Sequence, residues 1–112
     1  MQWPVWRVAV AERSMEPALR PGDWLLAWRG VRPNRPVRVR PGQIVIARHP
    51  GQPGMLLVKR AVVRQPGGWW LQSDNAAVAA VDSRVFGPVP APLIEARVLL
   101  RYWPGRPSSS SP

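Results

Sequence analysis

Apolar residues in this chain fall into short runs, each closed off by proline, glycine or a charge. The runs Trp6–Val10, Trp24–Trp28, Gln43–Arg48, Met55–Val63, Trp69–Gln72 and Ile94–Arg101 are rich in aliphatic and aromatic side chains, the pattern of strands separated by turns. Fifteen prolines leave little room for long helices, because proline lacks the backbone donor that a helix interior uses. The pattern predicts a mainly β domain, a small barrel or sandwich of about six strands with very little helix. Residues 30 to 42 read as a basic, proline-broken loop, and residues 105 to 112 as a Pro/Ser tail expected to be disordered. No internal repeat is visible, so residues 1 to 104 are expected to form one domain.

Within the predicted strand Met55–Val63 stands Lys59, the one lysine among sixteen basic residues. With side chains alternating at period two, Lys59 shares a face with Met55, Leu57, Ala61 and Val63, while Arg60 shares the other with Leu56, Val58 and Val62. Both faces are apolar, so at least one charge lies in a largely buried setting or lines a cleft. A guanidinium stays protonated at accessible pH, whereas desolvation disfavours a charged amine and turns it into a base. The bland alternative is a surface lysine without a task.

A base needs a nucleophile, and candidates are few. The chain has no Cys and no Thr, and outside the terminal run Ser108–Ser111 its serines are Ser14, Ser73 and Ser83. The single histidine, His49, sits in Arg48-His49-Pro50-Gly51, which reads as a turn leaving a strand. A serine activated by lysine is therefore the leading catalytic arrangement. Around Ser14, a strand ending near Ala11 would deliver the hydroxyl to an exposed turn, with Pro21-Gly22-Asp23 reversing the chain into the next strand. The competing reading of Ser14 is a simple helix cap, since Ser followed by Glu-Pro also starts helices.

The segment Ser14-Met15-Glu16-Pro17-Ala18-Leu19-Arg20-Pro21-Gly22-Asp23 resembles the nucleophile motif Ser-Met-x-Pro-x-Leu-x-x-Gly-Asp of the type I signal peptidases and related Ser/Lys serine peptidases. Leu57-Val58-Lys59-Arg60 resembles the base motif of that family. Ser73-Asp74-Asn75 and Asp82-Ser83-Arg84-Val85-Phe86-Gly87-Pro88-Val89-Pro90 resemble its later signature. The three motifs occur in the family's order and span roughly residues 8 to 104. The resemblance implies a signal-peptidase-like fold with Ser14 as nucleophile, Lys59 as base and the Ser14 backbone N–H as oxyanion donor. It implies structural support from Asp74, Asp82, Ser83 and Arg84, a substrate groove along Met15, Leu57 and Val58, and no metal or other cofactor. A narrower resemblance is carried by Ile44–Pro50, Gly68-Trp69-Trp70 and Arg101-Tyr102-Trp103-Pro104. It is to the maturation proteases of nickel-type superoxide dismutase, which implies a dismutase precursor with an N-terminal propeptide as the protein substrate.

Two positions depart from the pattern. Ala80 replaces a serine that hydrogen-bonds the lysine in signal peptidases, and Glu12 replaces a Gly or Ser two positions before the nucleophile. A carboxylate facing a developing oxyanion would raise the barrier. An inactive propeptide-binding relative is therefore one alternative reading.

Composition adds bounds. No apolar run reaches the roughly 20 residues that span a bilayer, and the first residues lack the organisation of a signal peptide. The expectation is a soluble, cytoplasmic enzyme without a membrane anchor. Zero cysteines exclude disulfides and thiolate metal sites. The formal net charge of +10 raises a second reading, a basic β module binding single-stranded nucleic acid through arginine and tryptophan. Much of that charge is dispersed or lies in the 30 to 42 loop, and nucleic acid is not the expected partner. A self-cleaving repressor is disfavoured, since only thirteen residues precede Ser14.

Overall fold

Six strands form where the apolar runs lie: β1 (Val5–Ala9), β2 (Trp24–Trp28), β3 (Ile44–His49), β4 (Gln52–Gln65), β5 (Gly68–Gln72) and β6 (Ile94–Trp103). The computed structural model describes residues 4–11, 13–30, 36–78 and 81–103. Glu12, Ala80, part of the basic loop and the expected tail lie outside the described residues. Among the described residues, helical structure is limited to the four residues of α1 (Ser83–Phe86) and a 3-10 turn at Ala91–Leu93.

All pairings are antiparallel, in the order β1-β2-β6-β3-β4-β5. The strands form one open sheet rather than a closed barrel or a two-sheet sandwich. Closure would require β1 to meet β5. Instead the outer edge of β5 is occupied by Val89, through Trp69 N–H to Val89 O and Val89 N–H to Trp69 O, both 2.8 Å. Gly68 permits this approach, because a Cβ there would stand 1.9 Å from the Val89 carbonyl oxygen.

The longest strand, β4, exceeds the expected Met55–Val63 at both ends. Two short turns, Pro50-Gly51 before it and Pro66-Gly67 after it, let pairing continue to His49↔Gln52 and Gln65↔Gly68. Its register places Val58 opposite Ile46 and Lys59 opposite Val45, so consecutive residues serve different cores. One face packs Val45, Ala47, Ala61, Trp69, Leu71, Val89 and Ile94. The other packs Val10, Met15, Leu19 and Leu25 with Ile44, Val58 and Val98, and continues into Ala27, Ile46 and Ala96. Each fully buried aliphatic side chain contributes about 1.5–3 kcal/mol. Along β4, Leu57, Lys59 and Ala61 are buried, so on its own strand the lysine stands between aliphatic neighbours on the buried face.

The connection from β1 to β2 carries Ser14. Val10 N–H donates to Asp23 O and Gly22 N–H to Val10 O, both at 2.8 Å, closing the base of this loop. Gly22 adopts φ +91° there, a backbone region that glycine enters without steric cost. Asp23 accepts from the Arg20 N–H at 2.9 Å, and Met15 and Leu19 drop into the second core. The Gly-Asp end of the motif is thus a clamp, and the turn above it presents Ser14.

Candidate active site

Lys59 is 4 % exposed, and its Nζ donates a 2.8 Å hydrogen bond to Ser73 Oγ. The register explains the contact. Arg60 pairs with Gln72 across β4 and β5, so one step further sets Ser73, the first residue past β5, across from Lys59.

Ser73 is in turn held from behind by the residues that open α1. Asp82 is fully buried and caps this short helix, accepting from Arg84 N–H at 3.0 Å. Its other oxygen accepts from Ser73 N–H at 2.8 Å and from Arg84 Nη2 at 2.8 Å. Ser83 Oγ accepts from Leu71 N–H at 2.8 Å. Asp82 and Ser83 therefore clamp alternate backbone donors at the end of β5, one of them belonging to the lysine's partner. Burial pushes the Asp82 carboxyl up. The Arg84 side chain and the backbone N–H groups of Ser73 and Arg84 outweigh that cost and hold it below the usual carboxylate range. The same pairing raises the Arg84 guanidinium.

Two residues beyond Ser73, Asn75 N–H donates to Ser14 O at 2.8 Å, and Asn75 Nδ2 donates to Arg13 O at 2.9 Å. Ser73 and Asn75 lie at most about 7 Å apart along the chain. One three-residue loop therefore touches Lys59 at its first residue and the Ser14 turn at its last. Between them, Asp74 forms a salt bridge with Arg60. Arg60 also donates to Gly42 O at 2.9 Å, and the bond to Asp74 raises the Arg60 guanidinium despite partial burial. Asn75 Oδ1 accepts from Ala77 N–H at 2.9 Å, which closes an Asx turn.

The residues singled out from sequence divide by place. Lys59, Asp74, Asp82, Ser83 and Arg84 gather around the Ser73–Asn75 loop, and Ser14 is partly buried beside it. Met15 is 1 % exposed and Leu57 7 %, and both are packing residues, while Val58 is partly buried. Ser73 is the residue of this cluster to which the sequence alone assigns no role. The signal for Ser73 was its place in a chain with very few hydroxyls, directly before Asp-Asn. His49 accepts from Gly51 N–H at 2.9 Å and packs its ring on Phe86, the last residue of α1. Among the described residues, no three His, Cys, Asp or Glu side chains converge as a metal site.

The family described as Peptidase S24-like matches residues 4–85. The chain is 36% identical over 115 residues to the mitochondrial ATP-independent inner membrane protease subunit 1b of Arabidopsis thaliana, covering 81% of this chain and 66% of that protein. It is 32% identical over 111 residues to the mitochondrial inner membrane protease subunit 1 of Xenopus tropicalis, covering 81% and 65%. It is 35% identical over 85 residues to the Arabidopsis thaliana subunit 1a, covering 56% and 50%. The chain thus spans about half to two thirds of the length of these curated relatives. Among its described residues, no helix is long and apolar enough to cross a membrane.

Proposed function

The chain belongs to the Peptidase S24-like family, and on that basis we propose that it is a serine endopeptidase in which Ser14 is the nucleophile and Lys59 the base. The observation that carries the reading is the Ser73–Asn75 loop, which contacts Lys59 Nζ at 2.8 Å and Ser14 O at 2.8 Å. Ser14 Oγ attacks the scissile carbonyl carbon while the neutral amine of Lys59 takes the hydroxyl proton. The oxyanion forms opposite the Ser14 backbone N–H. Collapse of the tetrahedral adduct breaks the C–N bond, and the Lys59 ammonium passes its proton to the departing amine. Water then attacks the acyl carbon, Lys59 accepts a proton from it, and Ser14 Oγ leaves with that proton restored. Asp82, Ser83, Arg84 and Asp74 hold the surrounding loops, and the substrate strand lies near Val58.

The proposed substrate is a precursor with an N-terminal propeptide, specifically that of nickel-type superoxide dismutase, and the proposed compartment is the cytoplasm. These finer assignments rest on the motifs shared with that group. The test is mass spectrometry of the dismutase precursor incubated with the native protein, Ser14→Ala and Lys59→Arg. A single N-terminal fragment released by the native protein alone is the expected result. Release by Ser14→Ala would refute the assignment.

A second reading is favoured by one feature. Arg38, Arg40, Arg64 and Arg97 line a surface basin of about 880 Å³, a setting suited to a polyanion such as single-stranded nucleic acid. Oligonucleotide binding that weakens steeply with salt would support it, and peptide cleavage dependent on Ser14 would displace it.

A further inference from the structure

A buried lysine on a strand has four methylenes between its backbone and its amine, so its catalytic direction must be imposed by a neighbour. General-base chemistry needs the amine within hydrogen-bond reach of the nucleophile, and the base is commonly oriented by a third group. In this chain the supply of orienting hydroxyls is short. There is no Thr, and outside the terminal run the serines are Ser14, Ser73 and Ser83. Ser83 Oγ is engaged by Leu71 N–H at 2.8 Å. Ser73 Oγ receives a bond from Lys59 Nζ at 2.8 Å in a buried setting.

We infer that Ser73 is a positioning residue of this site, whose hydroxyl fixes the lysine amine toward the turn bearing Ser14. The inference rests on the Ser14/Lys59 reading and deepens it. Three features make Ser73 suited to the role. Its side chain is set across from Lys59 by the β4–β5 register. Its backbone N–H is anchored at 2.8 Å on the fully buried carboxylate of Asp82. Two residues later the same loop grips the Ser14 carbonyl. A line of contacts thus runs from Arg84 through Asp82 and Ser73 to the amine. Asp82 reaches Lys59 through Ser73, whose backbone it holds and whose hydroxyl meets the amine. The charged groups on the surrounding segments include Asp82 and Arg84 behind Ser73, Asp74 paired with Arg60 beside it, and the Arg13–Glu16 pair on the Ser14 turn.

The test compares native protein, Ser73→Ala and Ser73→Thr, with Ser14→Ala and Lys59→Arg as controls, by steady-state cleavage of the dismutase precursor from pH 6 to 10. Ser73→Ala is expected to lower kcat about tenfold to hundredfold, the usual weight of a hydrogen bond to a charged group, with KM within about twofold of native. Its rising limb of activity should move to lower pH, because an accepted hydrogen bond favours the ammonium form and its loss favours the amine. Ser73→Thr retains the hydroxyl and should recover most of the rate and the native pH profile. A purely structural serine would change thermal stability without moving the limb. If alanine leaves the protein unfolded at the assay temperature, Ser73→Thr and Ser73→Val, matched in shape, pose the same question.

Inactive Ser14→Ala and Lys59→Arg beside a Ser73→Ala protein of native rate and profile would overturn the role of Ser73 while leaving the Ser14/Lys59 reading intact. Cleavage by Ser14→Ala would overturn that reading, and this inference with it. The expected pattern is loss in alanine, recovery in threonine and a shifted limb.

Discussion

Replacing Asp82 by alanine tests how the site is held together. In the native protein this carboxylate is 0 % exposed and accepts from Ser73 N–H at 2.8 Å and Arg84 N–H at 3.0 Å, besides the Arg84 guanidinium. Alanine leaves the buried Ser73 donor without its acceptor, at a cost of about 1–3 kcal/mol. It also removes the cap of α1, worth about 1 kcal/mol. The guanidinium partner is 43% exposed, so its charge pairing is discounted to nothing in this sum. The expected loss is about 2–4 kcal/mol in all, which for a chain of 112 residues lowers Tm by roughly 8–16 °C. The assay is urea unfolding followed by tryptophan fluorescence, with thermal circular dichroism beside it. A loss below about 0.5 kcal/mol, the range of ordinary surface substitutions, would show that Asp82 does not anchor the end of β5.

Three further outcomes follow from the same contacts. The Asp82 carboxyl is held below its unfolded value of about 3.9, so its contribution is complete above that value and is lost as pH falls through the lower folded one. Asp82→Asn should accordingly flatten the acid limb of stability below about pH 4, and an unchanged limb in acid-unfolding curves would contradict the assignment. Gly68→Ala should cost about 3 kcal/mol or more by denaturant unfolding, since its Cβ meets the Val89 carbonyl at 1.9 Å. By contrast Gly67→Ala, with φ +92° and open space around it, should cost about 1–2 kcal/mol, and equal costs would refute the distinction. Lys59→Met should leave stability within about 1 kcal/mol of native or raise it, because a buried charge gives way to hydrocarbon, while abolishing cleavage. A stable and active Lys59→Met protein would remove the lysine from the chemistry.

The elements of this fold were legible where local pattern decides them. Trp24–Trp28 forms a strand over the expected span, and the other five strands lie where the apolar runs predict. The extension of β4 back to Gln52 was hidden by Pro53-Gly54, which reads locally as a break. Its pairing is decided instead by the two-residue turn at Pro50-Gly51, a contact between strands. Openness of the sheet was illegible for a similar reason, since it depends on Val89 rather than β1 reaching the edge of β5. At the site, the apolar surroundings marked Lys59 from its own strand alone. The role of Ser73 required the register that sets residue 73 across from residue 59. The resemblance places Met15 in the substrate groove, yet the turn that carries Ser14 drives this next side chain into the core.

The most direct test of the central claim uses the uniqueness of Lys59. Because it is the only lysine in the chain, protein grown with lysine carrying 13C at the ε position yields one side-chain resonance for Lys59. Its chemical shift can be followed across pH 6 to 10 beside the rate of precursor cleavage. If Lys59 is the base for Ser14, the resonance and the rate rise through the same midpoint, and Ser73→Ala displaces both together. Cleavage at full rate while the resonance still reports the ammonium form would contradict that claim.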